Sequence, residues 1–462
     1  MMWARPAALA LLISFFAVAA TGCTAFPFKT QQAWRSFVDY DYPSEPVGSP
    51  AFEAALDKYT GSSAYPALDC RLLQNGDEAY PAMLELIANA KATISFETYI
   101  VEKDDTTDMF FTALKDAAAR GVRVRVLADA AGFHRSFIAQ LDELSSHGVE
   151  ARVFNPYFMS WTIVRGNNRN HRKILVADGS HAILGGINLS DEQTGDGKSG
   201  WRDTALRISG PGAAAAERAF AETWRQGGRG WVGKNLPIAF LNPLKAVLDA
   251  PLMGSDTDTS CLPCAEAAER GKTAEAADDG GAMVRVVVSS PDTANSPTYD
   301  LAILGVLGAR ERLDIACAYF VPPLGLRRAL LAAAERGVRV RLLLPEVTDV
   351  KLVREIGMRF YGQLLEAGIE IYEWPYPILH TKTMVADGRW LVVGSTNMDS
   401  RSYFLNYESG LVLSDEATAL QAHAQFDRDV EDAHPMTLEK WQARGAKQRT
   451  LEKLLIPLAG QY

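Results

Sequence analysis

The sequence predicts an α/β protein made of two repeats of one fold. Each repeat is expected to be a mostly parallel sheet flanked by helices, and the two to pack about a pseudo-two-fold axis. Three observations carry this. A polar constellation occurs twice in one register, as NHRKILVADGSHAILGGIN at 170–188 and LHTKTMVADGRWLVVGSTN at 379–397. His380 follows His171 by 209 residues, and Gly394 follows Gly185 by the same 209. A helix-end phrase also recurs, AAARGVRVR at 117–125 and AAAERGVRVR at 332–341. Finally, period-2 and period-3.6 hydrophobic stretches alternate in the same order in both halves, the pattern of helices laid on a sheet.

In chain order, residues 1–22 read as a signal peptide of lipoprotein type. Arg5 is the only positive charge of the n-region, 7–20 is apolar but short for a membrane span, and Ala20-Thr21-Gly22-Cys23 makes Cys23 the expected lipidation site. Residues 23–70 read as a tether and N-terminal wrap. The first domain is expected over 71–250. Within it Asn75-Gly76 reads as a turn, 78–92 as a helix, 93–101 as a strand, and 108–120 as a helix closed by Gly121. Then come a strand at 122–128, a helix at 137–146, and strands at 149–154, at the His171 motif, at 182–184 and at 203–208. Residues 251–281 are small, polar and acidic, and read as a linker. The second domain, 282–462, replays the order: strand 283–288, helix 299–309, strand 313–320, helix 326–336, strand 338–344, helix 353–367 and strand 370–374.

Composition narrows the function. Of 462 residues 48% are apolar, enough for a large core, and the net charge is −9. No nucleic-acid partner is expected, because phosphate neutralisation needs clustered Lys and Arg. Cys261-Leu-Pro-Cys264 is a lone CxxC without a second ligand pair, so a structural zinc is not expected, and a local disulfide fits an oxidising compartment. Cys70 and Cys317 receive no catalytic role.

His171 and Lys173, two apart, share one face of an extended strand, as do His380 and Lys382. A core has no use for two such pairs at one register. The motifs HRKILVAD and HTKTMVAD resemble the paired signatures of the phospholipase D superfamily. The flanking FETYIVEKDD, GWRDTALRISGP, AYFVPP and NMDSRSYFLNYESGLVLSD are similar to segments of bacterial cardiolipin synthases. The resemblance implies one active site between the two repeats, with His171, Lys173, Asp178, His380, Lys382 and Asp387 as the catalytic set. His171 would be the nucleophile and His380 the acid/base. Asp178 and Asp387 read as structural within that set, holding the turn after each motif strand. The two Lys, with Asn188, Asn397 and the hydroxyl of Ser395, would hold the phosphate, so that no metal or cofactor is called for.

Each His needs a carboxylate on its far nitrogen. Glu408, 28 residues after His380, stands where the family places one. In the first half the same count falls on Ser199, and Asp203 in Trp201-Arg202-Asp203 is expected to serve instead. Gly186 stands where the second motif has Ser395, which implies unequal roles for the halves. The aromatic stretch 155–164, with Tyr157, Phe158 and Trp161, reads as a lip for lipid, and Tyr319 to Pro322 as cleft lining. The implied activity is cardiolipin synthesis from phosphatidylglycerol and a second phospholipid through a phosphatidyl-histidine, with hydrolysis as the alternative. The expected partners are phosphatidylglycerol, phosphatidylethanolamine as a second candidate, and a membrane surface; a small partner protein is left open. The expected location is the cell envelope, lipid-anchored at the periplasmic face of the outer membrane.

Overall fold

A computed structural model of the chain describes residues 42–132, 137–155, 167–227, 282–293, 295–445 and 455. The strands of the first half are β1 (Asp69–Gln74), β2 (Thr93–Thr98), β3 (Arg123–Asp129), β4 (Glu150–Phe154), β5 (Ile174–Ala177), β6 (His181–Gly185) and β7 (Thr204–Ser209). Those of the second are β8 (Met283–Ser289), β9 (Arg312–Cys317), β10 (Arg339–Pro345), β11 (Glu370–Trp374), β12 (Lys382–Ala386), β13 (Trp390–Gly394) and β14 (Asn406–Ser414). The first sheet runs β1-β7-β6-β5-β2-β3-β4. The second contains β8-β14-β13-β12-β9-β10-β11, the same order with every number raised by seven, so the duplication extends to topology.

Helices repeat in step. The first half has α1 (Asn75–Asn89), α2 (Asp105–Ala119), α3 (Phe137–Ser146) and α4 (Pro211–Gln226); the second has α5 (Pro297–Gly308), α6 (Leu324–Glu335), α7 (Lys351–Glu366) and α8 (Glu416–Glu431). Local chemistry sets their limits. Asp104 caps α2 by accepting from Thr107 N, and Asp415 caps α8 by accepting from Thr418 N. Past the ends of α2 and α6, Gly121 (φ 88°) and Gly337 (φ 86°) turn the chain left-handed into β3 and β10, a conformation that costs glycine nothing.

Two expectations are corrected. The sheets are mixed rather than mostly parallel. Only β2-β3-β4 and β9-β10-β11 run parallel, whereas β5, β6 and β7, and likewise β12, β13 and β14, pair antiparallel. The reason is loop length: β5 returns as β6 through residues 178–180 alone, with Asp178 (φ 53°) and Gly179 (φ 65°) left-handed, and a turn this short permits only a hairpin. Asn75-Gly76 is not a turn but the start of α1. Asn75 tolerates φ 57°, and its side-chain oxygen accepts from Asp203 N at 3.0 Å.

The halves share one core. Ile174, Val176 and Leu184 of the first sheet pack in one cluster with Val385, Leu391, Val393 and Leu411 of the second. Ala213, Ala216 and Ala219 of α4 and Ala419 and Ala422 of α8 join it, and small side chains there let the helices approach the sheets closely. The packing is reciprocal, since α4 lies against β8 and α8 against β1. Among the described residues no helix is long and apolar enough to cross a membrane.

Candidate active site

Both motif histidines lie just before their strands, where the halves meet. Arg169–Asn170 pairs in parallel with Asn406 and Tyr407, and His171 N donates to Tyr407 O at 2.9 Å. The symmetric contact joins Arg202 to Leu379: Arg202 N donates to Ile378 O and His380 N to Arg202 O, both at 2.8 Å. Each histidine backbone is therefore hung on the opposite half.

This overturns the pairing expected from sequence. Glu408 does not serve His380, nor Asp203 His171. His171 Nδ1 lies 3.1 Å from both carboxylate oxygens of Glu408, and His380 Nδ1 lies 2.6 Å from Asp203 Oδ2. The carboxylates are exchanged between the halves because each sits next to the residue that holds the other half's histidine backbone. Ser199 is not in the carboxylate slot, since the first half carries four more residues between histidine and carboxylate (32 against 28). The Gly186/Ser395 difference has a steric origin. A Cβ on Gly186 would fall 2.1 Å from Asp203 Oδ1, whereas the Ser395 hydroxyl donates to Glu408 Oε2. Ser395 thus faces the carboxylate, which corrects its assignment to the phosphate.

The four ionisable motif groups are all buried. Burial lowers the His171 and His380 imidazoles, His380 to about 4, with Lys382 adding to the fall and Asp203 opposing it. Burial would raise Glu408 and Asp203, but their histidine partners outweigh it and hold both below the usual carboxylate range. Each pair thus rests as a carboxylate beside a neutral imidazole. The carboxylate accepts a hydrogen bond from Nδ1–H, which leaves the Nε2 lone pair free for nucleophilic or basic work. Burial brings Lys173 down to about 7 and lowers Lys382 as well. Lys173 Nζ donates to His171 O at 2.7 Å, and Lys382 makes the matching bond to His380 O.

Other expected residues take other places. Asp178 accepts from the backbone N of Lys91, Ala92 and Thr93 (2.9, 2.7 and 2.9 Å), and Asp387 from Arg310, Glu311 and Arg312 (2.8, 2.9 and 2.9 Å). Both sit in the turn at the far end of the motif strand and fasten the chain entering β2 and β9. They hold structure, as expected of them, and leave the catalytic set. Asn188 Oδ1 accepts from Ile100 N at 3.0 Å, and Asn397 Oδ1 is buried without a hydrogen bond. Phe320 and Val321 are buried and pair with Met398 and Asp399, Tyr319 and Phe320 line a small pocket with Leu344 and Tyr361, and the Tyr319 hydroxyl donates to Asp349 at 2.8 Å. Cys70 and Cys317 are free thiols, and burial raises Cys317 to about 12. Cys23, Cys261, Cys264, Tyr157, Phe158 and Trp161 lie outside the described residues. Among the described residues no cluster of three or more His, Cys, Asp or Glu is placed to hold a metal.

Sequence reasoning missed the polar bed under His171. Asn170 N donates to Asp129 Oδ2 at 2.7 Å and its side-chain amide donates to Glu97, a fully buried acid. Burial pushes Glu97 to about 7 and Asp129 to about 6. The signal available was an acid inside the strand stretch TISFET. The second half has Leu379 in place of Asn170, packed with Ala316 and Trp374. The rings of Tyr99 and Trp201, also missed, lie 5.1 Å from His171 and His380.

Two interlocked α/β repeats, each lending a carboxylate to the other's histidine, define the phospholipase D-like class of fold and site. The comparisons agree. A family model described as "Cardiolipin synthase, PLD-like domain" matches residues 83–224 and 306–430. A cardiolipin synthase of a Geobacillus species is 33% identical over 400 residues, covering 85% of this chain and 72% of that protein. One from Clostridium perfringens is 30% identical over 391 residues, covering 84% and 75%. The crystal structure of a Haemophilus influenzae phosphatidylserine synthase superposes with TM-score 0.61 over 89% of this chain and 98% of that one, at 15% identity, a likeness of fold alone. The chain belongs to the cardiolipin synthase family of phospholipase D-like enzymes.

Proposed function

We propose that this enzyme makes cardiolipin by phosphatidyl transfer, from phosphatidylglycerol and a second phospholipid, either phosphatidylglycerol or phosphatidylethanolamine. The observation that carries the reading is the reciprocal pairing of His171 with Glu408 and His380 with Asp203. An anionic phosphodiester entering between two lysines raises the pKa of the neighbouring imidazoles, so that one can enter the reaction protonated. His171 Nε2 attacks phosphorus while His380 gives its proton to the departing alcohol oxygen, and the P–O bond breaks as the P–N bond forms. His380, now neutral, takes the proton of the second lipid's hydroxyl, whose oxygen displaces His171 and restores both rings. Lys173 and Lys382 offset charge on the phosphoryl oxygens. The assignment of His171 as nucleophile rests on the family resemblance, whereas a lipidated Cys23 and a place at the periplasmic face of the outer membrane rest on the leader pattern of residues 1–23.

Lipid mass spectrometry of the purified protein with phosphatidylglycerol, alone and with phosphatidylethanolamine, tests the reading. Cardiolipin is expected from the intact protein and none from His171→Ala or His380→Ala, both folded. Phosphatidic acid without cardiolipin would transfer the assignment to a hydrolase using the same groups.

A further inference from the structure

The edge of the second half that carries its motif is apolar and basic at once. Cys317, the last residue of β9, pairs with Lys382, and β10 runs parallel to β9. The segments after β9 and β10 therefore emerge on the active-site edge. Two large apolar side chains are exposed there: Leu324 (39%) at the start of α6 and Val347 (48%) in the loop after β10. Met109 (44%) occupies the first turns of α2, which follows β2 as α6 follows β9. Of the other exposed large apolar residues among those described, Leu420 lies beside Gly388, in the turn at the opposite end of the motif strand, and Leu68 lies beside Gly210, which follows β7. The Tyr319 hydroxyl bonds Asp349 and so fastens the Val347 loop to the motif edge.

Positive charge gathers beside Leu324. Arg327 stacks over Phe360 at 4.4 Å and donates to Pro322 O at 3.2 Å. Arg328 is its chain neighbour and Arg359 the chain neighbour of Phe360, so the three cations lie close together, and burial, then the charges of Arg359 and Arg328, push the Arg327 guanidinium below its usual value. Arg328 and Arg359 are exposed, as is Lys351 at the start of α7, and none of the three forms an ion pair among the described residues. Arg354 is committed to Glu373 (2.7 Å); of the two acids of the loop, Glu346 lies 2.8 Å from His434 Nδ1 and Asp349 accepts from Tyr319. In a chain of net charge −9, exposed cations grouped beside exposed Leu and Val run against the average.

We infer that this edge docks on an anionic phospholipid surface, with Arg328, Arg359 and Lys351 against headgroup phosphates and Leu324 and Val347 entering the interface. Charge alone would suit any polyanion. Exposed aliphatic side chains next to the charge suit a bilayer, whose boundary offers both an anionic layer and a hydrocarbon one. Docking there would turn the active-site edge toward lipid and shorten the path of a phospholipid headgroup to the lysines. The inference rests on the lipid reading of the site.

The test uses the full chain carrying Cys23→Ala, so that no acyl anchor contributes, with and without Arg328→Glu/Arg359→Glu or Leu324→Glu/Val347→Glu. Co-sedimentation is measured with vesicles of phosphatidylcholine alone and mixed with phosphatidylglycerol, and turnover with a soluble short-chain phosphatidylglycerol. Binding to the mixed vesicles is expected to fall by about thirtyfold or more in the arginine pair, from roughly 1 kcal/mol per cation, and to fall also in the aliphatic pair. Turnover of the soluble lipid should be unchanged in both. Vesicle binding equal to that of the parent would overturn the inference, as would equal loss of heparin binding without a preference for mixed vesicles. Absence of soluble-lipid turnover in the parent would instead sink the proposed activity, and the vesicle result would still decide the docking face.

Discussion

Lys173 illustrates how burial sets chemistry at a single residue. Its ammonium, brought down to about 7, is half lost at neutral pH in the free protein, and a bound dianion restores it. The sign follows: above about pH 7 anion binding must take up a proton, so affinity falls as pH rises. Sulfate, which does not itself titrate there, should bind up to about tenfold more weakly per pH unit above neutrality, as read by calorimetry. Lys173→Gln should flatten that slope, and an unchanged slope would mean that Lys173 does not face the anion. At the same scale, Gly186 and Ser395 show that an apparent difference between repeats can follow from carboxylate length. Asp203 needs the space of a missing Cβ, and Glu408 gains a hydroxyl donor.

Among the elements, the motif strands are fixed at both ends. At one end the histidine backbones are held across the halves; at the other Asp178 and Asp387 gather three backbone N–H groups each. Asp178→Ala should remove an anchor of β2 rather than a catalytic group. The expected loss is about 1–2 kcal/mol of stability, because solvent replaces part of the lost bonding at this half-exposed site. Lipid turnover per folded molecule should be retained. A turnover loss as deep as that of His171→Ala, in a protein still folded, would return Asp178 to the catalytic set.

For the molecule as a whole, two buried arginines stitch the halves. Arg172, fully buried, donates to Glu408 O, Ala219 O and Ser289 O at 3.1, 2.9 and 3.0 Å. Arg202 forms a bidentate pair with Asp429 of α8, its closest contact 2.8 Å. Arg172→Ala should cost about 3–5 kcal/mol in denaturant unfolding, since it strands three buried carbonyls. Unfolding should remain a single transition, because the halves share a core. Two separate transitions in the parent would contradict that sharing.

The sequence by itself determined the duplication, the two motifs and the helix stops. Each is a local pattern: a spacing, a hydrophobic period, or a glycine at a left-handed position, and local patterns survive without coordinates. His171, Lys173, His380, Lys382, Asp203 and Glu408 were all legible as one constellation. Only the tertiary structure decided which carboxylate serves which histidine, because that pairing joins residues 237 and 177 positions apart across the two halves. It also decided that Ser395 faces Glu408 and that the sheets are mixed. A hydroxyl's partner and a strand's neighbour depend on packing, and period-2 alternation is the same whichever way the neighbouring strand runs.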